Sequence, residues 1–188
     1  MNFSPRGVAL ACLLAAGESA SAKEETFVIF DERKIVIDVP DGYLYSSGFD
    51  PNGAVVAKLA DAKKTISLEV VFVPDARARL GTEDSQKDFV AEQFQQYAEG
   101  SVEKSYEFVN FKSRSSSGLY CAFTDVSLVG KTPPPNEFLH VTVGVKAWAG
   151  CAAIFTLFSQ DTTSKEYSAV LKLIKDSLEE KKPLGPTL

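Results

Sequence analysis

Few residues in this chain are of types that do chemistry, and their spacing limits what they could do. Two cysteines lie well inside the sequence, Cys121 in "GLYCAFTD" and Cys151 in "KAWAGCAAIF", with Cys12 near the N-terminus. The C-x-x-C spacing on which thiol redox activity usually relies is absent. His140 is the single histidine. It alternates with Leu139, Val141, Val143 and Val145, which places it on the polar side of a strand. A triad of His140 with Asp125 and a serine has no G-x-S-x-G elbow behind it. Zinc asks for three or four ligands, and one imidazole with two internal thiols leaves the set incomplete. Calcium needs a compact loop rich in oxygen ligands, whereas "DERK" and "DPNG" are turn-sized. No glycine-rich phosphate loop is present. Carboxylates are plentiful, but nothing in the sequence singles out a pair for acid–base work. No cofactor, metal site or catalytic residue is therefore expected.

The N-terminus bears on where those groups work. Arg6 precedes an apolar run from Gly7 to Gly17, and Ala20-Ser21-Ala22 follows. Basic, apolar and small-residue segments in that order read as a secretory signal peptide over 1–22. The apolar run is short of the ~20 residues that span a bilayer, so no integral membrane segment is expected after cleavage. The expected compartment is exported, periplasmic or extracellular. Removing 1–22 deletes Arg6 and Glu18 together, so the net charge of -5 survives. That acidic balance argues against nucleic acid as a partner.

Residues 23–182 read as one domain and 183–188 as a flexible tail. "TFVIF" and "KIVIDV" flank "DERK" as a hairpin. Pro40 and Gly42 break the second strand, and "DPNG" (Asp50–Gly53) is a turn. In "ISLEVVFV", Ile66, Leu68, Val70 and Phe72 share a face opposite Ser67, Glu69, Val71 and Val73. The second face turns apolar at its end, as if covered there. A first helix is expected from Asp84 to Lys104, with Phe89, Val90, Phe94, Tyr97 and Val102 on one side and Ser85 with Asp88 as its capping box. The strands "YEFVNF", "GLYCAFTDVSLVG", "FLHVTVGVKA" and "CAAIFTLFSQ" follow. The stiff "KTPPPN" loop joins the middle two. A second helix is expected after a capping box at Thr163 and Glu166, with Tyr167, Val170, Leu171, Ile174 and Leu178 as its stripe. Lys181 and Lys182 would lie near its negative end, and Pro183 would stop it. Short connections require antiparallel pairing, and each apolar helix stripe must cover a sheet face. The expected class is α+β, an antiparallel sheet covered by helices in an α/β/α sandwich.

"IVIDVPDGY", the long helix after the early strands, the strand meander and the closing helix together resemble the PsbP-like superfamily. That group includes extrinsic photosystem subunits, Mog-type proteins and DcrB-like exported bacterial proteins. The resemblance covers nearly all of the chain after residue 22 and rests on element order, with Val39-Pro40-Asp41-Gly42-aromatic as its local motif. It implies a non-catalytic scaffold that binds partners through sheet edges and loops, and it supplies no catalytic residues.

Export places Cys121 and Cys151 where disulfides persist. If the strands flanking the proline loop pair so that Cys121 falls near Lys146, and Cys151 stays near Trp148, both thiols share one end of the sheet. They would still flank a common strand, ~9.6 Å apart, where a bridge needs Cα atoms within ~7 Å. Compartment favours the bond and regular sheet geometry opposes it; a Cys121–Cys151 disulfide is the expectation. The functional expectation is an exported, non-enzymatic module that binds another protein. Tyr43, Tyr45, Phe49 and Trp148 are its candidate contacts, since aromatics are favoured at interface hot spots; the same four side chains would also serve to close the core. The alternatives are a carrier of a small apolar ligand, held between helix and sheet by residues such as Phe89, Phe94 and Phe155, and a secreted hydrolase using His140.

Overall fold

The computed structural model describes residues 23–29, 33–113, 115–134 and 136–181. The expected signal peptide over 1–22 with Cys12, Asp31 and Glu32 of the expected hairpin turn, Pro135, and 182–188 with Lys182 and Pro183 lie outside the described residues. The chain begins with β1 (Lys23–Val28) and β2 (Lys34–Val39), antiparallel from Lys23↔Val39 to Val28↔Lys34, as the hairpin pattern requires. β3 (Tyr43–Phe49), β4 (Val55–Asp61) and β5 (Ile66–Asp75) meander. The "DPNG" turn between β3 and β4 is held by the Asp50 carboxylate, which accepts the N–H groups of Asn52 at 2.9 Å and Ala54 at 2.8 Å. Then come α1 (Glu83–Gln93), α2 (Gln95–Glu99), β6 (Val109–Lys112), β7 (Ser117–Thr124), β8 (His140–Trp148) and β9 (Gly150–Ser159). α3 (Lys165–Lys172), a π turn (Leu173–Ser177) and β10 (Glu179–Lys181) close the described chain.

Seven strands form one antiparallel sheet in the order β3-β4-β5-β9-β8-β7-β6, and β1-β2-β10 form a smaller one. Alternation along each strand sends side chains to two faces. On the first face Leu68, Val70, Phe72, Phe155 and Leu157 pack with Ile35 and Ile37 of β2 and with Val170 and Ile174 after β9. On the second, Leu119, Val143 and Val145 pack under Val90 and Phe94. The large sheet is therefore covered by α1 and α2 on one face, and by α3 with the small sheet on the other. This is the expected α+β class with helices on both faces. Val73 packs into the second core, which accounts for the apolar end of the far face of β5.

Local boundaries differ from expectation, each for a visible reason. The Asp75 carboxylate accepts the N–H groups of Arg79 (2.8 Å) and Leu80 (2.9 Å), so the turn out of β5 runs to Gly81. Thr82 is then the first free hydroxyl and caps α1 with Ser85 as its reciprocal partner, three residues before the expected box. The first helix does not reach Lys104: it breaks at Phe94 and stops at Gly100, leaving Val102 52 % exposed. "YEFVNF" enters the sheet only from Val109; Tyr106 and Phe108 stack at 5.6 Å instead, and Tyr106 meets Phe123 edge-on. At the second helix Thr163 is committed to Asp161, its hydroxyl donating to Oδ1 at 2.7 Å, so Ser164 caps and accepts the Tyr167 N–H at 3.1 Å. α3 ends at Lys172, and Lys181 lies in a strand opposite Lys34 instead of at a helix end.

The early end of the second helix has a cause far away in sequence. Lys146 on β8 is fully buried, and its ammonium donates to the carbonyls of Ile174 (3.0 Å), Lys175 (2.9 Å) and Leu178 (2.8 Å). The last carbonyls of a helix lack intrahelical partners; here a charged donor supplies three of them. The Leu178 N–H reaches back to Leu173 O at 2.9 Å, which completes the π turn. The Trp148 ring centroid lies 5.4 Å from the same nitrogen. Arg33 adds a second tie, a two-toothed bond to Glu180 at 2.6 and 2.7 Å that fastens β10 beside β2.

Candidate functional site

The residues singled out around β3 come together at one margin of the large sheet. Pro40 and Gly42, with Gly42 at φ 78°, turn the chain into β3, and the Tyr43 N–H bonds Pro40 O at 3.3 Å. Opposite, the β4–β5 turn is fixed by Asp61, whose carboxylate accepts from Thr65 N (2.7 Å), Thr65 Oγ1 (2.8 Å) and Ile66 N (2.9 Å). These two turns and the β9–α3 connection enclose a cleft of about 530 Å³ lined by Asp41, Tyr43, Asp61, Lys63, Asp161 and Glu166, among others. The Tyr43 hydroxyl is buried with no hydrogen-bond partner among the described residues. Burial, and then the negative charges of Asp61 and Glu166, push its pKa up to about 12. The phenol stays protonated, and the four carboxylates make the cleft inhospitable to anions.

β3 itself is the outer strand of the large sheet, paired only with β4 among the described strands. Its odd-numbered side chains point to the first face. Tyr43 and Tyr45 are half-buried against the core there, while Phe49 is 77 % exposed. Leu44 points the other way and is 59 % exposed. An outer strand presents a row of unpaired N–H and C=O groups, and proteins commonly blunt such edges with charge, proline or bulges. β3 carries none of these: YLYSSGF has no charged residue or proline, and its register with β4 runs unbroken from Tyr43↔Asp61 to Phe49↔Val55.

The other expected contact residue lies elsewhere. Trp148 is 5 % exposed and packs in the first core beside Lys146, so it closes the core and presents no surface. Of the four aromatics, Tyr43, Tyr45 and Phe49 share one strand and Phe49 alone is widely exposed. Leu44 was not among them, although its place in an uncharged strand was readable.

The expected disulfide is not formed: Cys121 and Cys151 are both free and buried. Cys121 pairs with Val143 and not with Lys146, while Cys151 pairs with Trp148 as expected. The odd-numbered shift turns Cys121 onto the opposite face. Cys121 belongs to the core under α1 and Cys151 to the core under α3. Burial pushes both thiols up to about 12, so neither supplies a thiolate.

His140 is half-buried, and its Nδ1 lies 3.2 Å from Thr124 Oγ1. Glu103 takes both protons that Thr124 can offer, from N and from Oγ1, each at 2.8 Å. With the hydroxyl proton directed to Glu103, Thr124 accepts from the imidazole, the reverse of an activated nucleophile. Asp125 is fully buried and accepts the Ser127 N–H at 2.8 Å; the carboxylates acting on the imidazole are Glu103 and Asp161. Burial lowers the His140 pKa, and those two charges partly offset it. The apolar carrier site does not assemble either. Phe89 and Phe94 lie on the second face and Phe155 on the first, with the sheet between them. Among the described residues no group of three His, Cys, Asp or Glu side chains is placed to hold a metal ion. No described helix is long and apolar enough to cross a membrane.

No family model matches this sequence, and no curated protein matches it. Among solved structures it is similar to the solution structure of cyanobacterial PsbP (CyanoP) from Synechocystis sp. PCC 6803, with a TM-score of 0.44 and 14 % identity over 88 % of this chain and 95 % of that one.

Proposed function

We propose that this chain is an exported, non-enzymatic binding module that joins a second protein chain by strand addition at β3. The observation that carries the reading is the edge itself: seven uncharged residues, unpaired on their outer side among the described strands, with Leu44 and Phe49 exposed. Strand addition obtains affinity from main-chain hydrogen bonds and specificity from alternate side chains. Leu44 and Phe49 would give apolar contact on either side of the added strand. The leader over 1–22 supports export, and residues 23–182 form the binding domain in this reading. The DcrB-like and Mog-type groups are the branches of the PsbP-like resemblance that suit it. Thr124, whose proton is held by Glu103 and not by His140, weighs against the hydrolase alternative that would use His140.

Site-specific photo-crosslinking tests the proposal. A benzophenone side chain in place of Phe49 should capture a partner in an envelope extract, whereas the same group in place of Val109, on the opposite edge, should not. No adduct at position 49, or equal adducts at both positions, would defeat the reading.

A further inference from the structure

The β3 edge also indicates its occupant. We infer that the added strand is β3 of a second copy of this chain, antiparallel about a two-fold axis through Ser46; the inference rests on the use of this edge proposed above. Self-pairing sets a strand against its own reverse, so any charge near the axis would meet a like charge. Each other described sheet edge carries such charges. β1 holds Lys23, Glu24 and Glu25, β6 holds Lys112, and β10 reads Glu179-Glu180-Lys181. β3 holds none.

Backbone geometry limits the register to axes that pass through a residue. The Asp50 N–H bonds Ala54 O at 2.9 Å where the β3–β4 ladder begins. Antiparallel bonding alternates along a strand, so Gly48, Ser46 and Leu44 bond inward to β4, and Phe49, Ser47 and Tyr45 turn their N–H and C=O groups outward. A two-fold axis at Ser46 pairs Tyr45 with Ser47 of the second copy, and the reverse, so outward groups meet outward groups.

Side chains single out the Ser46 axis among these. It places Tyr43 opposite Phe49 of the second copy, an aromatic cross-strand pair. It places Leu44 opposite Gly48, where a Cβ would meet nothing within 4 Å. The neighbouring axis, through Ser47, would keep an aromatic pair, Tyr45 opposite Phe49, but would oppose Leu44 to Asp50 and lose the Leu44–Gly48 match. One strand pair buries less than the ~800 Å² per partner of a standard interface, so association should depend on concentration.

Sedimentation equilibrium of the full chain, from about 10 µM to about 1 mM, tests the inference. The wild type should pass from monomer towards dimer across that range. Ser46→Lys and Ser46→Glu each place like charges across the axis and should weaken association by about tenfold or more, with circular dichroism unchanged. An equal mixture of the two should restore it. If either variant fails to fold, Ser47→Pro, which removes only an outward N–H, takes its place and should be monomeric. A wild type that stays monomeric throughout, charged variants that dimerise as well as the wild type, or a mixture without recovery would overturn the inference. The Phe49 crosslink separates the two proposals. An adduct of twice the chain mass supports self-pairing. An adduct with a different protein retires self-pairing and leaves the wider reading intact, and no adduct removes both.

Discussion

Replacing Lys146 by Met removes the ammonium while keeping most of the stem's apolar volume. Three carbonyls, of Ile174, Lys175 and Leu178, then lose a charged donor at 2.8 to 3.0 Å. A buried polar group stripped of its partner costs about 1–3 kcal/mol. The gain from no longer desolvating a charge, and partial access of water to Lys175, offset part of that sum. Three such carbonyls give about 3–9 kcal/mol before that offset, and a net loss of about 3–5 kcal/mol is expected. Against a usual stability of about 5–15 kcal/mol, that is a large share, and it should lower Tm by roughly 6–20 °C for a chain of this size. Trp148 is the single tryptophan and its ring lies 5.4 Å from the lysine nitrogen, so its fluorescence follows urea unfolding from inside the affected region. Faster exchange of the Leu178 amide, which closes the π turn, should accompany the loss. A variant within 1 kcal/mol of the wild type, with Leu178 exchange unchanged, would refute the assignment of Lys146 as the cap of this helix end.

Gly144→Ala would drive a Cβ to 2.3 Å from Leu119 O and 2.5 Å from Phe155, so destabilisation at or above the ~1–3 kcal/mol of overpacking is expected in the same urea assay. Cys121 and Cys151 should resist a thiol reagent in the folded protein and both react in denaturant without prior reduction, because they are unbonded and buried; protection until a reductant is added would contradict this. The lowered His140 pKa means that the unfolded chain takes up a proton first as pH falls. The contribution is therefore complete above the ordinary value of 6.5 and is lost as pH falls from there through the lowered value. Stability measured against pH should show that loss, and His140→Gln should flatten it.

The strands and their antiparallel order were legible because alternation and turn residues are local signals. "DPNG" and the faces of "ISLEVVFV" illustrate both. The helix starts were read to within about a residue, but the capping residues were misassigned because hydroxyls compete for partners. Asp161 engages Thr163, and the Asp75 turn delays the chain to Thr82. The early end of the last helix could not be read locally, since its cause is Lys146 on another strand. The disulfide expectation failed through register: assigning Cys121 to Lys146 instead of Val143 is an odd-numbered slip, and it reverses the face. At the candidate site, the aromatics of β3 were visible, but core-packed Tyr43 could not be told from exposed Phe49 without the sheet. The lack of charge in YLYSSGF, the more telling feature, was present in the sequence all along.

Amide hydrogen exchange along β3 tests the open edge most directly. In dilute protein, Tyr45, Ser47 and Phe49 should exchange quickly while Leu44, Ser46 and Gly48, bonded inward to β4, are protected. Raising the concentration or adding the captured partner should slow Tyr45 and Ser47 first. Strong protection of those two amides at high dilution, or no response to any partner, would contradict the account.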